Sequence, residues 1–279
     1  MCTTLSNLLP VELCAHIFEF ATSPGDLYNI CLASRTFACE AQRLLFRSVA
    51  IDTHNRRRSF AQSVIAHPSL GRWVHSLAIE LVERDDDAHQ AFLSLVNLRH
   101  LRVSGYTGHS AAFPSSQFLG CPYRLLSFHN YSFNLEGTVK FLLNQPDITN
   151  WTHQQSEFYA NGEEGVKFSN DFLPNVNSME VDAEVLAAFS SSRPVTSMKV
   201  RFWHLDEEEE TRALRDIALF RDTLTTLSLQ HWDSNPHVSL TNTVTMLTQG
   251  APNLRRLCLA GFYRNDDWGS VSYRHLVVS

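Results

Sequence analysis

A short apolar pattern recurs along the chain, and it constrains the fold more than any other feature of the sequence. Each occurrence consists of apolar residues at positions i, i+3 and i+5. His153, at the third position of one occurrence, is the polar exception. The occurrences are Phe46/Val49/Ile51, Val74/Leu77/Ile79, Leu98/Leu101/Val103, Tyr123/Leu126/Phe128, Ile148/Trp151/His153, Val176/Met179/Val181, Val195/Met198/Val200, Leu224/Leu227/Leu229 and Leu254/Leu257/Leu259. Because the last two positions alternate as in a strand with one buried face, each occurrence predicts a short β-strand.

Helices are predicted between these strands. The helical stretches are 60–66, 89–96, 135–143, 185–189, 211–220 and 243–247. Proline often stands shortly before a strand, as at Pro68, Pro122 and Pro146, where it ends a helix because it disfavours the helical conformation of the residue before it. The strands recur at intervals of about 26 residues, so the sequence predicts strand–helix units that stack and cover one another's apolar faces.

The recurring pattern resembles the L-x-x-L-x-L core of leucine-rich repeats. By this resemblance, residues 46–279 are predicted to form an irregular leucine-rich-repeat array of about nine strand–helix units, in an α+β or α/β solenoid. The strand face that points away from the helices is then the expected recognition surface. Its candidate target-binding residues are Arg102, Ser104, Ser127, His129, Thr152, Gln154, Glu180, Asp182, Lys199, Arg201, Ser228 and Gln230. They mix both charges with small polar groups, which suggests a protein ligand and specifies no small-molecule pocket.

The first 45 residues predict three short helices. Pro10 suits the first position of a helix, where its missing N–H costs nothing, and Asp26 can cap a second helix. A third helix is predicted from about residue 37 to residue 45. The apolar stripe of the first helix consists of Leu9, Leu13, Ile17 and Phe20. Helices this short bury little surface by themselves, so we expect a partner or a neighbouring element to cover them.

This segment resembles an F-box over residues 5–49. The resemblance rests on Leu9-Pro10-x-Glu12-Leu13-x-x-x-Ile17, on Leu27 and on Leu32-Ala33-Ser34-Arg35-x-Phe37, with Phe37 where many F-boxes have tryptophan. It implies that the segment binds a Skp-type adaptor, which connects to a cullin-RING ubiquitin ligase. The residues that it assigns to adaptor binding are Leu9, Pro10, Glu12, Leu13, Ile17, Leu27, Leu32, Arg35 and Phe37.

Together the two segments resemble the divergent F-box/leucine-rich-repeat proteins of fungi, with an F-box-like module at 1–45 and repeats at 46–279. The resemblance implies a substrate-recognition subunit of an SCF-type E3 ubiquitin ligase that holds an unidentified target protein and contributes no catalytic residue. The alternative is a non-ligase leucine-rich-repeat scaffold whose N-terminal helices only cap the solenoid. Burial of Leu9 and Leu13 against the first repeat would favour the cap, and exposure of Leu9, Pro10 and Ile17 would favour adaptor docking.

Composition and motifs argue against other classes of protein. A formal net charge of −6 argues against general nucleic-acid affinity, and no apolar run approaches the length of about 18 residues that a membrane span needs. The six cysteines form no Cys-x-x-Cys pair and no secretory signal is visible, so we expect reduced thiols in a cytosolic or nuclear protein. Without a nucleophile elbow, P-loop, dinucleotide fingerprint or H-E-x-x-H, the sequence predicts no enzyme, no cofactor and no metal. A deep pocket with converging histidine and acidic side chains would revive an enzymatic role.

Overall fold

The computed structural model describes residues 10–21, 23–81, 86–105, 113–118, 120–154, 166–203, 205–231, 237–264 and 271–278. Its strands are β1 Ser48–Ile51, β2 Ser76–Leu81, β3 His100–Gly105, β4 Ser127–Asn130, β5 Asn150–His153, β6 Ser178–Asp182, β7 Ser197–Phe202, β8 Thr226–His231, β9 Arg256–Arg264 and β10 Val271–Val278. Its helices are α1 Val11–Phe18, α2 Pro24–Ala33, α3 Arg35–Arg47, α4 His54–Ala66, α5 Pro68–Gly71, α6 Asp86–Phe92, α7 Leu135–Leu142, α8 Ala183–Leu186, α9 Glu207–Asp216 and α10 Leu240–Gly250.

The predicted fold class, a three-helix module followed by a leucine-rich-repeat solenoid, is wrong. The strands form a single sheet in chain order, in which the first nine are parallel, and the fold is α/β. The last strand, β10, turns back and pairs antiparallel with β9, from Val271 opposite Arg264 to Val278 opposite Leu257. The apolar pattern specifies which residues of each strand are buried, and any sheet with helices over one face satisfies that requirement equally well.

Two compact units make up the chain. Unit 1 comprises residues 1–80, 84–101 and 116–124, and unit 2 comprises residues 81–83, 102–115 and 125–279. In unit 1, helices α1 and α2 pack on α3 around Cys14, Phe18, Leu27 and Ala41. In unit 2, aromatic rings surround Trp151.

The predicted strand positions are confirmed, with one error of register. Leu77, Met179 and Leu227 lie in strands and are buried, as the pattern requires. At β4, however, Phe128 lies opposite Trp151, whereas the pattern aligns Leu126 with it. Leu126 precedes the strand and is 40% exposed, because β4 begins two residues later than the pattern predicts.

Polar side chains at the helix starts explain why most helices begin earlier than the apolar periodicity alone predicts. Thr53 caps α4 by accepting the N–H of Arg56, and Ser239 caps α10 in the same way. At α9, Asp206 and Glu209 form a reciprocal capping box, with distances of 2.8 and 3.0 Å. Helix α2 is capped by Ser23 with Pro24 following it, so the prediction that Asp26 caps this helix is wrong.

Candidate functional site

Helices α1–α3 of unit 1, called the helical module below, pack around a small core and leave large apolar side chains exposed. Leu13 is 48% exposed and Ile17 52%, although both lie on α1 beside the buried residues Cys14 and Phe18. Leu32, near the end of α2, is 69% exposed. Leu13 and Ile17 are four residues apart and therefore lie on the same side of α1. Large apolar side chains that stay exposed together on one face are candidates for an interaction site.

The other residues that the F-box resemblance assigns to adaptor binding divide into two groups. Pro10 and Arg35 are exposed, whereas Leu27 is buried in the core of the module. Phe37 is partly buried and packs edge-on against Phe18, with ring centroids 5.4 Å apart. Leu9 and the side chain of Glu12 lie outside the described residues. The exposed members therefore lie on the surface of the module, and Leu27 and Phe37 hold its helices together.

A polar face of the sheet forms the second candidate surface, and it lies in unit 2. Strand register places Glu180 opposite Lys199 and Asp182 opposite Arg201. Other strand-to-strand pairs on this face include His129 with Thr152, Thr152 with Glu180, Lys199 with Ser228 and Arg201 with Gln230. Parallel strands lie about 4.8 Å apart, so these side chains meet although they come from distant parts of the sequence.

Two ion pairs link β6 to β7 on the polar face. Lys199 Nζ lies 2.7 Å from Glu180 Oε1, and both side chains remain partly exposed. Arg201 donates to Asp182 Oδ1 from Nη2 at 2.7 Å and from Nε at 3.0 Å. The Asp182 and Arg201 side chains are only 7% and 9% exposed, so this pair is held in a largely water-free position. Each charge is balanced within the face, which leaves this part of the surface polar but electrically neutral.

Hydrogen bonds extend this network across the neighbouring strands. Gln154 donates from Nε2 to Glu180 Oε1 at 2.8 Å. His129 Nδ1 lies 2.8 Å from Thr152 Oγ1, and its Nε2 lies 3.3 Å from Ser127 Oγ. The apolar pattern aligns His129 with Gln154, and the shifted register of β4 brings it to Thr152 instead.

The last four predicted target-binding residues lie around this network. Arg102 is exposed, and its guanidinium carbon lies 4.4 Å from the centre of the Tyr131 ring, within the range of a cation–π interaction. Ser104, Ser228 and Gln230 are half-buried. The structure thus brings the predicted residues of β4–β8 into one connected surface and orders most of their polar groups before any ligand arrives.

Two buried polar side chains, His153 and Asn130, lie behind this face. His153 occupies a position that the pattern assigns to an apolar residue. His153 is fully buried, and its Nδ1 lies 3.1 Å from the amide nitrogen of Asn130. Asn130 Oδ1 accepts the N–H groups of Ser132 and Phe133, which fixes the orientation of the amide. Burial, with a smaller contribution from Arg201, lowers the pKa of His153 to about 3. At neutral pH the ring is therefore uncharged, and it supports the turn after β4.

Glu210 carries a buried carboxylate. In the sequence it is one of four consecutive glutamates, 207–210, and nothing there distinguishes it as the buried one. From α9 it accepts the backbone N–H groups of His237 at 2.9 Å and Val238 at 3.2 Å through Oε2. Its Oε1 lies 3.8 Å from Nε2 of His231 at the end of β8. One carboxylate therefore contacts both ends of the β8–α10 connection. Acidic residues in the first turn of a helix predict only a favourable interaction with the helix dipole, so the sequence carried no signal that Glu210 has this role.

The buried position of Glu210 predicts a pH dependence of stability. Burial raises the pKa of this carboxyl above its usual range, although the N–H groups of Val238 and His237 act in the opposite direction. The folded protein then holds the proton more tightly than the unfolded chain, so this group's contribution to stability is lost as pH rises through the folded-state pKa. We therefore expect the free energy of unfolding of Glu210→Gln, relative to that of wild type, to rise as the pH increases from acidic to neutral. Urea denaturation at several pH values measures this difference.

A matched variant on the same helix separates this effect from the loss of any one negative charge. Glu208 is exposed on α9, and Glu208→Gln removes the same charge without changing a buried group. A difference between Glu210→Gln and wild type that stays constant with pH, or one that follows Glu208→Gln, would contradict the assignment.

No protein-family model and no curated protein matches this chain. Within the described ranges, no helix is long and apolar enough to cross a membrane. The part of the chain that the structure describes also contains no group of three or more histidine, cysteine, aspartate or glutamate side chains placed to hold a metal ion.

Proposed function

We propose that this protein is the substrate-recognition subunit of an SCF-type E3 ubiquitin ligase. In this proposal, α1–α3 bind a Skp-type adaptor, and the polar face of unit 2 binds a target protein. The observation that carries the proposal is the exposure of Leu13, Ile17 and Leu32 on a module that resembles an F-box. The chain contributes no catalytic group in this role, because holding a target close to the ligase is itself sufficient to accelerate transfer.

The energetics of the helical module favour docking over a purely structural role. Burying a leucine or isoleucine side chain completely stabilises a complex by about 1.5–3 kcal/mol. Leu13 and Ile17 each leave about half of that surface in water. Helices that served only to cap the sheet would have these residues covered by it. Their exposure therefore supports a partner that binds at α1.

The polar face supports target binding because its side chains are already held in place, not because it carries a net charge. Its ion pairs and hydrogen bonds fix Glu180, Lys199, Gln154 and His129 in defined positions. A ligand that binds such a surface loses little entropy in ordering it, which favours affinity. Lys199 and Glu180 remain accessible enough to exchange their mutual contact for contacts with a target.

The adaptor-binding prediction is tested with charge substitutions on α1. We expect Leu13→Asp/Ile17→Asp to weaken binding of a purified fungal Skp-type adaptor by at least about 100-fold, because a charge buried in an apolar interface costs several kcal/mol. The free energy of unfolding should change by less than about 1 kcal/mol, since both positions are half exposed. Isothermal titration calorimetry measures the first quantity and urea denaturation the second.

The matched control places the same substitutions on exposed apolar residues of unit 2. Leu143 is 49% exposed at the end of α7 and Leu240 is 55% exposed at the start of α10. Leu143→Asp/Leu240→Asp should bind the adaptor as wild type does. A folded wild-type protein that binds no adaptor would refute the proposal. If Leu13→Asp/Ile17→Asp binds normally while Leu9→Ala/Pro10→Ala does not, the function stands and the assignment of residues on α1 is wrong.

A protein-interaction scaffold outside any ligase is the second candidate. Helix α3 ends at Arg47 and β1 begins at the next residue, so the helices continue directly into the sheet. Arg47 Nη1 also lies 3.7 Å from Glu19, which joins the end of α3 to the end of α1. This continuity favours a module that stabilises the sheet edge. If this candidate is right, deleting residues 1–34 should strongly lower the free energy of unfolding. The receptor role predicts instead that surface substitutions on α1 abolish adaptor binding without lowering stability.

A further inference from the structure

One cation of the polar face, Arg102 on β3, has no acidic partner within the described ranges. Its guanidinium carbon lies 4.4 Å from the centre of the Tyr131 ring. Among the described residues, no carboxylate lies within ion-pair distance of Arg102, and no group accepts a hydrogen bond from its side chain. Lys199 and Arg201, the other lysine and arginine among the predicted target-binding residues, are each paired with a carboxylate on β6. The charge of Arg102 is therefore the one that this set leaves unbalanced.

The fold holds the ring of Tyr131 beside Arg102. Tyr131 follows β4 directly, and its N–H donates to the carbonyl of Val103, the residue after Arg102, at 3.1 Å. The turn that begins at Tyr131 is fixed by Asn130, whose Oδ1 accepts two N–H groups of that turn. Cation–π attraction to a ring held in this way keeps the guanidinium in place, so a ligand that binds it loses little side-chain entropy.

The contact with Tyr131 leaves the hydrogen-bond donors of Arg102 available to a ligand. Arg102 is exposed, whereas Tyr131 is half-buried. Cation–π attraction depends on the charge of the guanidinium and does not consume its five N–H donors, which lie in the plane of the group. Two of these donors fit the two oxygens of a carboxylate side by side. Arg102 therefore offers an ordered, accessible position for one carboxylate.

We propose that Arg102 binds an aspartate or glutamate side chain of the target protein and so selects targets with an acidic residue at one position. Charge favours a carboxylate over a phosphate, because one guanidinium balances one carboxylate, whereas a phosphate monoester carries a charge of about −1.5 to −2. Lys199 and Arg201 are already balanced by carboxylates, so neither supplies the second positive charge that a phosphate requires. This inference rests on the proposed binding of a target at the polar face, and it adds which targets are preferred.

A selection of random peptides on the purified protein is the first test. Peptides of about twelve residues extend to roughly 40 Å, which is enough to cross the sheet from β3 to β8. They are displayed on phage as internal segments, so any carboxylate that is selected belongs to a side chain. We expect the peptides selected on wild type to share an aspartate or glutamate at one position, and those selected on Arg102→Gln to lack it.

A double-mutant cycle on the tightest-binding selected peptide then tests the contact itself. Arg102→Gln in the protein and acid-to-amide replacement in the peptide should each weaken binding about tenfold, and the two together no more than either alone. Arg102→Lys keeps the charge but loses the planar fork, so its loss should be smaller. Arg212, exposed on α9, provides the matched control, because Arg212→Gln removes the same charge and should leave binding unchanged. Fluorescence anisotropy of the labelled peptide measures all four affinities.

Several outcomes would overturn the proposal. These are selected peptides with no shared acidic position, additive effects in the cycle, an equal loss in Arg212→Gln, or tighter binding when phosphoserine replaces the acid. If Arg102→Gln fails to fold, Arg102→Lys takes its place in the cycle.

Lys199→Gln distinguishes failure of this proposal from failure of target binding at the polar face. Peptides whose binding depends on Lys199 but not on Arg102 would refute the carboxylate contact and leave target binding intact. If no peptide is selected, or none is sensitive to either residue, both proposals fail. Adaptor binding at α1 is measured separately, so its failure would leave each of these results interpretable.

Discussion

Asp182→Ala is expected to destabilise the protein by about 4 kcal/mol, because removing one partner of a buried ion pair leaves the other charge buried without compensation. Arg201 would keep its position in the face, where its side chain is 9% exposed, and would lose the carboxylate 2.7 Å from Nη2. Urea denaturation at neutral pH measures the difference in the free energy of unfolding. The slope of this free energy against urea concentration should be the same in both proteins.

Two further variants separate this effect from the general cost of removing a charge. Asp182→Leu/Arg201→Met should recover most of the lost stability, since apolar residues of similar volume often replace a buried pair without cost. Glu208→Ala breaks an exposed pair with Arg212, 3.1 Å long, and should change stability by less than about 1 kcal/mol. If Asp182→Ala costs no more than Glu208→Ala, the pair does not hold β6 to β7 as described.

Trp151→Ala is expected to destabilise the protein by about 4 kcal/mol through the cavity that it creates. Trp151 is 1% exposed in β5, and its ring packs edge-on against Phe168, Phe172 and Phe189, with centroids 5.6 to 6.3 Å apart. These rings fill the space between the sheet and the segments that cover it. Thermal and urea denaturation of the variant measure the loss.

Trp151→Phe is the matched control, and it should cost only about 1 kcal/mol. The indole Nε1 has no hydrogen-bond partner among the described residues, so phenylalanine loses volume but no hydrogen bond. A Trp151→Phe variant as unstable as Trp151→Ala would mean that Nε1 makes a contact on which the fold depends.

The strands were predictable from the sequence because their burial pattern is local. Leu101/Val103 and Leu227/Leu229 alternate with polar residues, and alternation alone places their side chains on one face. The same alternation correctly grouped Glu180, Asp182, Lys199 and Arg201 on the opposite face. Leu126 shows the limit, since two apolar neighbours, Leu125 and Leu126, left the start of β4 ambiguous to pattern reading.

The contacts within the candidate surfaces were not predictable in the same way. Whether Arg201 meets Asp182, nineteen residues away, depends on the register between β6 and β7, which neither strand encodes alone. The buried role of Glu210 depends on the N–H groups of His237 and Val238 from a later element. Exposure of Ile17 depends on how α1 rests on α3, because Ile17 and the buried Phe18 are equally apolar in sequence.

By itself, the sequence determined which residues are buried in the strands other than β4, that helices lie between the strands, and which residues form the polar face, since all three follow from side-chain periodicity. Only the tertiary structure decided that the strands join in one α/β sheet, that β10 returns antiparallel along β9, and that the charges of β6 and β7 neutralise one another. These features depend on pairing between distant segments, where a shift of register changes every partner while leaving each local pattern intact.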